Sequence, residues 1–155
     1  MSALIIALST WLHALATIVM IGYFIFTALV YLPVLERQLR ADAVRCMLEQ
    51  VSARLRPLFG GSLLIFLLTG TYLMLVNQNY PGLGNFFANP WSVLIVIKHV
   101  LIVPFLAIAM YSERAFLPQI SEGKPQALRQ FRQACNIDTV LGAAIILLTS
   151  VAQVG

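Results

Sequence analysis

Charge is scarce in this chain, and its scarcity excludes an ordinary soluble domain. Lys, Arg, Asp and Glu make up 10% of the 155 residues, whereas soluble domains contain about 25%. With only two cysteines, the chain cannot be a disulfide-rich scaffold, and the cysteine spacing fits no metal motif. The apolar stretches contain no nucleophile–base set, phosphate-binding loop or carboxylate pair. No recognised catalytic motif is therefore present.

Hydrophobic residues make up 60% of the sequence, and most lie in four long runs. About 20 apolar residues cross the hydrocarbon core of a bilayer as a helix, and each run is long enough. The runs lack the alternation of a β-barrel, so only helices can satisfy their backbone groups in lipid. We predict a single membrane domain, residues 1–155, that is an all-α bundle of four transmembrane helices at about 3–35, 57–77, 92–112 and 135–154.

The basic residues predict the orientation. Nine of the ten Lys and Arg residues lie in segments 36–56 and 113–134, and the termini and the 78–91 loop have none. Because positively charged loops stay in the cytoplasm, we expect both termini and the 78–91 loop on the outer side. We therefore expect the protein to lie in a bacterial inner (plasma) membrane. Its expected partners are the lipid bilayer and either other membrane subunits or a second copy of the chain. Because the positive charge is confined to the loops, it does not indicate that the protein binds nucleic acid.

The two basic segments are expected to be largely helical. Segment 36–56 has apolar residues at helical spacing, which predicts a hairpin that extends the first two helices, or an interfacial helix. Segment 113–134 is expected to break around Pro118, Gly123 and Pro125 before the helix resumes.

Three polar residues near the cytoplasmic side receive structural interpretations. Cys46 and Cys135 should be reduced, since cytosolic disulfides are unusual. Asp138 is expected to pair with Arg132 or to cap the fourth helix.

Three ionisable residues interrupt the apolar runs. His13 and His99 are the only histidines, and Lys98 is the only Lys or Arg inside a run. Ionisable groups within a membrane are candidate functional sites by default. Simpler roles exist: a histidine can hydrogen-bond a neighbouring helix, His13 can lie at the interface, and a lysine near a helix end can extend to the headgroups.

Two sequence patterns place the histidines on facing helices. His13 and His99 each precede a Leu-Pro pair by similar distances, and "LLTG" (67–70) is echoed by "LLTS" (147–150). Such a repeat would relate helices 1–2 to helices 3–4 by an axis along the membrane normal. On helix 1 a stripe at helical spacing includes His13 and is expected to face the bundle; its other members are Thr17, Met20, Phe24, Thr27 and Tyr31.

Several stretches resemble the copper-resistance protein D family. "WLHALATIVMIGYFIFTALVYLPVLE" is similar to the family's first helix, with His13, Gly22 and Pro33 at matching places. "RLRPLFGGSLLIFLLTG", "VIKHVLIVPFLAIAMYSER" and "NIDTVLGAAIILLTS" resemble its following helices. The same superfamily contains the HemJ-type protoporphyrinogen oxidase, a haem-b protein with a histidine in helix 1 and a lysine in helix 3. The resemblance implies that His13 and Lys98 correspond to these residues.

Three functions compete on this evidence. In the first, His13 and His99 are axial ligands of a b-type haem used in electron transfer or redox chemistry, and Lys98 pairs with a propionate. In the second, the chain handles or transports copper, for which imidazole and the thioethers of Met20 and Met74 are suitable ligands. In the third, it is a structural or assembly subunit without a cofactor. Whether the protein is an enzyme stays open.

The predicted orientation can be tested by cysteine labelling. A membrane-impermeant thiol reagent added to intact cells should modify an Asn85→Cys variant and leave Cys46 unmodified, because the loop is outside and the basic segment is inside. Modification of Cys46 in sealed cells would contradict the charge argument.

Overall fold

A computed structural model describes residues 3–38, 41–82, 84–85 and 87–154, without the side chains of Gln38, Ala41, Asp42, Pro125 and Val154. These residues form an all-helical bundle, as predicted. The elements are α1 (Ala3–Phe26), a π-helical segment (Thr27–Tyr31), α2 (Leu32–Gln38), α3 (Ala41–Val76), α4 (Pro90–Ser121) and α5 (Pro125–Val154).

Four stretches of the described chain are long and apolar enough to cross a membrane: Ala3–Arg37, Ala43–Val76, Pro90–Ser121 and Gln126–Gln153. They correspond to the four predicted runs but extend further into the basic segments. The multi-pass membrane assignment is therefore supported.

The helices alternate in direction, which gives the bundle two distinct ends. The start of α1, the described residues between 77 and 89 and the end of α5 lie at one end, which we call the loop end. Segments 36–56 and 113–134 lie at the other, which we call the basic end. There the helices continue as the predicted hairpin extension, although Leu39 and Arg40 lie outside the described residues.

Two ion pairs join helices near the basic end, and they correct one prediction. Arg132 Nη1 lies 3.1 Å from Glu36 Oε2, and Arg56 Nε lies 3.7 Å from Glu113 Oε2. Arg132 is thus paired with Glu36, so the expected pairing of Asp138 with Arg132 is wrong. Nor does Asp138 cap a helix, because it lies well inside α5.

Prolines interrupt the helices less than expected. Pro118 lies inside α4, so the prediction that it breaks the helix is wrong. The helix ends instead just before Gly123, whose φ of +85° is a left-handed conformation that glycine adopts without a Cβ penalty. Near Pro33 the α-helix is disturbed, because the proline ring offers no N–H to the helix and the preceding turn is the π-helical segment.

The predicted stripe on α1 faces the bundle, since Met20, Phe24 and Thr27 are buried. Helix α1 packs against α3 and α5, α4 packs against α5, and α3 packs only lightly on α4. The first and third membrane helices therefore face each other diagonally, as the sequence repeat suggests. They meet at Phe24 and Phe105, whose ring centroids are 5.4 Å apart.

A glycine allows the close approach of α5 to α1. A Cβ added at Gly142 would lie 2.6 Å from Ile21 Cγ2, which is closer than real Cβ contacts. We therefore expect Gly142→Ala to destabilise the protein by about 1–3 kcal/mol, the usual cost of overpacking. Thermal unfolding in detergent should show a lowered Tm.

The matched control for this substitution is Gly22→Ala, because a Cβ at Gly22 meets no atom within 4 Å. Its Tm should stay near that of the wild type. Combining Gly142→Ala with Ile21→Ala should recover part of the loss. Equal Tm values for the Gly142 and Gly22 variants would refute the proposed close packing.

A candidate metal site at the loop end

A cavity of about 270 Å³ lies between the helices at the loop end. His13, Lys98 and His99 all line it. These three residues were candidates because ionisable side chains are rare in the apolar runs. The fold brings His13 to the same cavity as Lys98 and His99, although it is far from them in sequence. His13 is half-buried, whereas His99 is exposed at the cavity's edge.

The hydrogen bonds of His13 determine its tautomer. Its Nδ1 lies 3.0 Å from Thr69 Oγ1, and Thr69 Oγ1 donates to the Ile65 carbonyl at 2.6 Å. A hydroxyl has a single proton, and Thr69 already uses it on Ile65. With the Thr69 proton on Ile65, His13 Nδ1 is the N–H donor, which leaves the lone pair on Nε2.

The imidazole of His13 is held between α1 and α3. It stacks on Phe66, with ring centroids 4.5 Å apart and 20° between the planes. On the same helix a Cβ at Gly70 would lie 2.9 Å from His13 Cε1, so the absence of a side chain at this position makes room for the ring. Phe66, Thr69 and Gly70 together fix both the position and the tautomer of His13.

The same reasoning applies to His99. Its Nδ1 lies 2.7 Å from the Ile95 carbonyl, and a carbonyl can only accept. His99 Nδ1 is therefore the donor, and its Nε2 also has the lone pair. A histidine that donates from one ring nitrogen and offers the other is the usual arrangement of a metal ligand, because the outer hydrogen bond orients the ring and raises its basicity.

The other side chains that line the cavity determine which metal ions it could bind. Met74 lines the wall and offers a thioether, whereas Met20 is buried below it and lines a separate void. Among the described residues no three His, Cys, Asp or Glu side chains are placed to hold one metal ion. The donors that line the cavity are the two imidazoles, the thioether of Met74, and the side-chain oxygens of Thr71, Asn77, Thr149 and Gln153.

Lys98 is the positive charge of the cavity. Within the described chain it forms no hydrogen bond and no ion pair, and it acts electrostatically on His13. An ammonium in this place repels a bound cation and weakens its binding.

The cavity is closed toward the centre of the bundle. Below it lies a void of about 10 Å³ whose lining includes Phe66, Ile102 and Phe105. Its one polar lining residue, Thr17, donates its hydroxyl proton to the His13 carbonyl. This volume is barely enough for one water molecule, and water also needs polar partners, so the void is dry. Beneath it the Phe24–Phe105 contact, which we call the aromatic plug, separates the cavity from the basic end.

The family assignment rests on a match to one protein-family model, copper resistance protein D, over residues 49–152. The chain belongs to this family. The matched range includes Gly70, Met74, Lys98 and His99 but not His13. No curated protein and no solved structure matches the chain, so the suggested relationship to the HemJ-type oxidase gains no support.

The family and the geometry favour the copper alternative over haem. Pockets for drug-sized ligands measure about 300–1,000 Å³, and a cavity of about 270 Å³ is below that range. An ion fits easily, whereas a macrocycle would require the helices to separate. Haem binding therefore stays a prediction without support.

Sequence reasoning identified the histidines but missed what positions them. Thr69 and Gly70 belong to the "LLTG" motif, which was considered only as one half of a repeat. Their contact with His13 depends on the packing of α1 against α3, and no local pattern reports that packing.

The tautomer of His13 can be tested by ¹⁵N NMR of the imidazole nitrogens. The wild type should show a protonated Nδ1, and Thr69→Val should lose this signature, because valine keeps the shape of threonine but accepts no hydrogen bond. The matched control is Thr10→Val, since Thr10 also donates to a carbonyl of its own helix, that of Ile6. An unchanged His13 spectrum in Thr69→Val would contradict the assignment.

Proposed function

We propose that this protein binds copper(I) in the loop-end cavity through His13 Nε2, His99 Nε2 and the Met74 sulfur. The observation that carries the proposal is that both histidines line one cavity while their Nδ1 atoms are occupied by fixed acceptors. The copper-resistance family to which the chain belongs supports the choice of metal.

The donor set favours the reduced ion. Thioether sulfur is a soft ligand that selects Cu(I), and imidazole is suitable for copper generally. Hard cations such as Mg²⁺ and Ca²⁺ prefer several oxygen ligands that include carboxylates, and none of the residues that line this cavity is Asp or Glu.

Lys98 makes the binding reversible. Two unit charges about 8–12 Å apart interact by about 1–2 kcal/mol at an effective dielectric constant of 20. This repulsion weakens the site by roughly tenfold or more. A protein that passes copper onward must release it, and the Lys98 charge supports release.

The proposed sidedness follows from the basic residues. The basic end faces the cytoplasm, so the cavity opens on the outer side of the inner membrane. The ion is received there and is held above the aromatic plug. Helix α3 exposes an apolar surface that includes Leu58, Leu64, Leu68 and Leu75, and this surface is available for lipid or for a second subunit.

The proposal can be tested by titrating purified protein with Cu(I) against a chromophoric chelator. One ion should bind per chain. His13→Ala and His99→Ala should each weaken binding by about a hundredfold or more, since even the loss of an outer hydrogen bond costs 10–100-fold. Met74→Leu should weaken it less, and Lys98→Leu, which removes the charge without adding a ligand, should tighten it by roughly tenfold.

The matched control is Met110→Leu, which removes a thioether from an exposed position of α4 outside the cavity. Its affinity should equal that of the wild type. Unchanged Cu(I) affinity in both histidine variants would overturn the proposal. Sharp visible bands in the dithionite-reduced protein would favour haem in its place.

A further inference from the structure

Asp138 is an anomaly in the middle of α5. Its side chain is 0% exposed, and neither carboxyl oxygen has a hydrogen-bond partner among the described residues. An isolated ionised carboxylate in an apolar interior is so unfavourable that the group neutralises instead. Buried polar groups without partners require an explanation, and packing supplies none here.

Among the described residues no Lys or Arg forms a hydrogen bond or an ion pair with Asp138. On its own helix the nearest ionisable group is Cys135, one turn toward the basic end and also buried. Tyr23 on α1 and Glu113 on α4 are near enough to Cys135 to influence its ionisation. None of these three side chains carries a positive charge.

Two arginines of the basic end are paired with other carboxylates, Arg56 with Glu113 and Arg132 with Glu36. Arg114, beside Glu113 on α4, is exposed and forms no ion pair with the fully buried Asp138. Arg132 is moreover six residues from Asp138, about 9 Å along the helix. The group that compensates Asp138 is therefore a proton.

Asp138 lies below the apolar void that closes the cavity. One turn of α5 toward the loop end, Gly142 contacts Ile21, and Ile21 lines that void. Asp138 is four residues, or about 6 Å, further toward the basic end. The cavity wall at Thr149 is about 16 Å away along α5.

We propose that Asp138 is a proton-binding site in the membrane interior and that its proton is exchanged for the copper(I) ion of the loop-end cavity. The second half of this inference rests on the proposed function. When the aromatic plug opens, the ion moves toward Asp138 while the carboxyl proton leaves toward the loop end. The ion then passes to the basic end, and the carboxylate takes up a new proton from that end. One positive charge enters and one leaves, so the charge balances and no oxidation or reduction is needed.

The exchange has a physical reason. A lone cation in hydrocarbon and a lone carboxylate in hydrocarbon are both very unfavourable. If deprotonation accompanies the arrival of the cation, each charge compensates the other. Buried carboxylates serve as proton relays in pumps and transporters for this reason.

The proton site can be tested directly by infrared spectroscopy of the purified wild-type protein. A protonated carboxyl has a carbonyl band that a carboxylate lacks. This band should be present at neutral pH and absent in Asp138→Asn, which keeps the shape of the side chain and should remain folded. Glu113→Gln should retain the band, because Glu113 is paired with Arg56. Absence of an Asp138-dependent band at neutral pH would overturn the proton site.

The exchange can be tested in vesicles of phosphatidylethanolamine and phosphatidylglycerol loaded with a pH dye. Copper(I) added outside under reducing conditions should make the interior of wild-type vesicles more alkaline, as protons leave. In Asp138→Asn the pH change should fall at least tenfold, while Cu(I) affinity in detergent stays within twofold of the wild type. A pH change that is independent of Asp138 would overturn the exchange.

If the proposed copper site is wrong, the two experiments give a different combination of results. A wild-type protein that binds no Cu(I) in detergent would refute both the copper site and the exchange. The Asp138 infrared band would still decide whether the buried carboxyl holds a proton.

Discussion

The hydrogen bond from His13 to Thr69 organises the site, and it exists because lipid supplies no water. A polar group inside a membrane helix must find a partner within the protein. Thr69 satisfies its own proton on Ile65 and then accepts from His13 Nδ1. The ring is thereby fixed between α1 and α3 with its Nε2 lone pair unused. The loop-end site is a consequence of this constraint.

The same constraint explains how the bundle separates its polar groups. Hydroxyls on the helices largely donate to carbonyls one turn back, as Thr17, Thr139 and Thr149 do. Other polar groups lie on either side of the aromatic plug, with the histidines above it and the unpartnered Asp138 below it. The proposed cation site and the proposed proton site are thus separated by an apolar barrier, as an exchange process requires.

Much of the fold could be predicted from the sequence, because it depends on properties that are local. Length and hydropathy predict the four membrane helices, and helical spacing predicts the inward stripe of α1. Rarity alone drew attention to His13, Lys98 and His99. The helix break predicted at Pro118 does not occur, because a proline near a helix end is compatible with a continuous helix when neighbouring groups satisfy the freed carbonyl.

What the sequence could not provide depends on packing between distant segments. Nothing in the local sequence distinguishes Gly70 from another glycine of an apolar helix. Its role becomes clear only when the fold places His13 against it. The sequence places Asp138 at the cytoplasmic end of the fourth helix, because Arg132 is only six positions away. Its burial becomes visible only when α5 is packed on α1 and α4, with Gly142 against Ile21.

The most direct test of the copper site is X-ray absorption spectroscopy of the Cu(I)-loaded protein. Our account predicts a copper shell with two imidazole nitrogens and one sulfur. One imidazole should be lost in His13→Ala, and the sulfur should be lost in Met74→Leu. A shell without imidazole, or a spectrum that is identical in the wild type and His13→Ala, would contradict it.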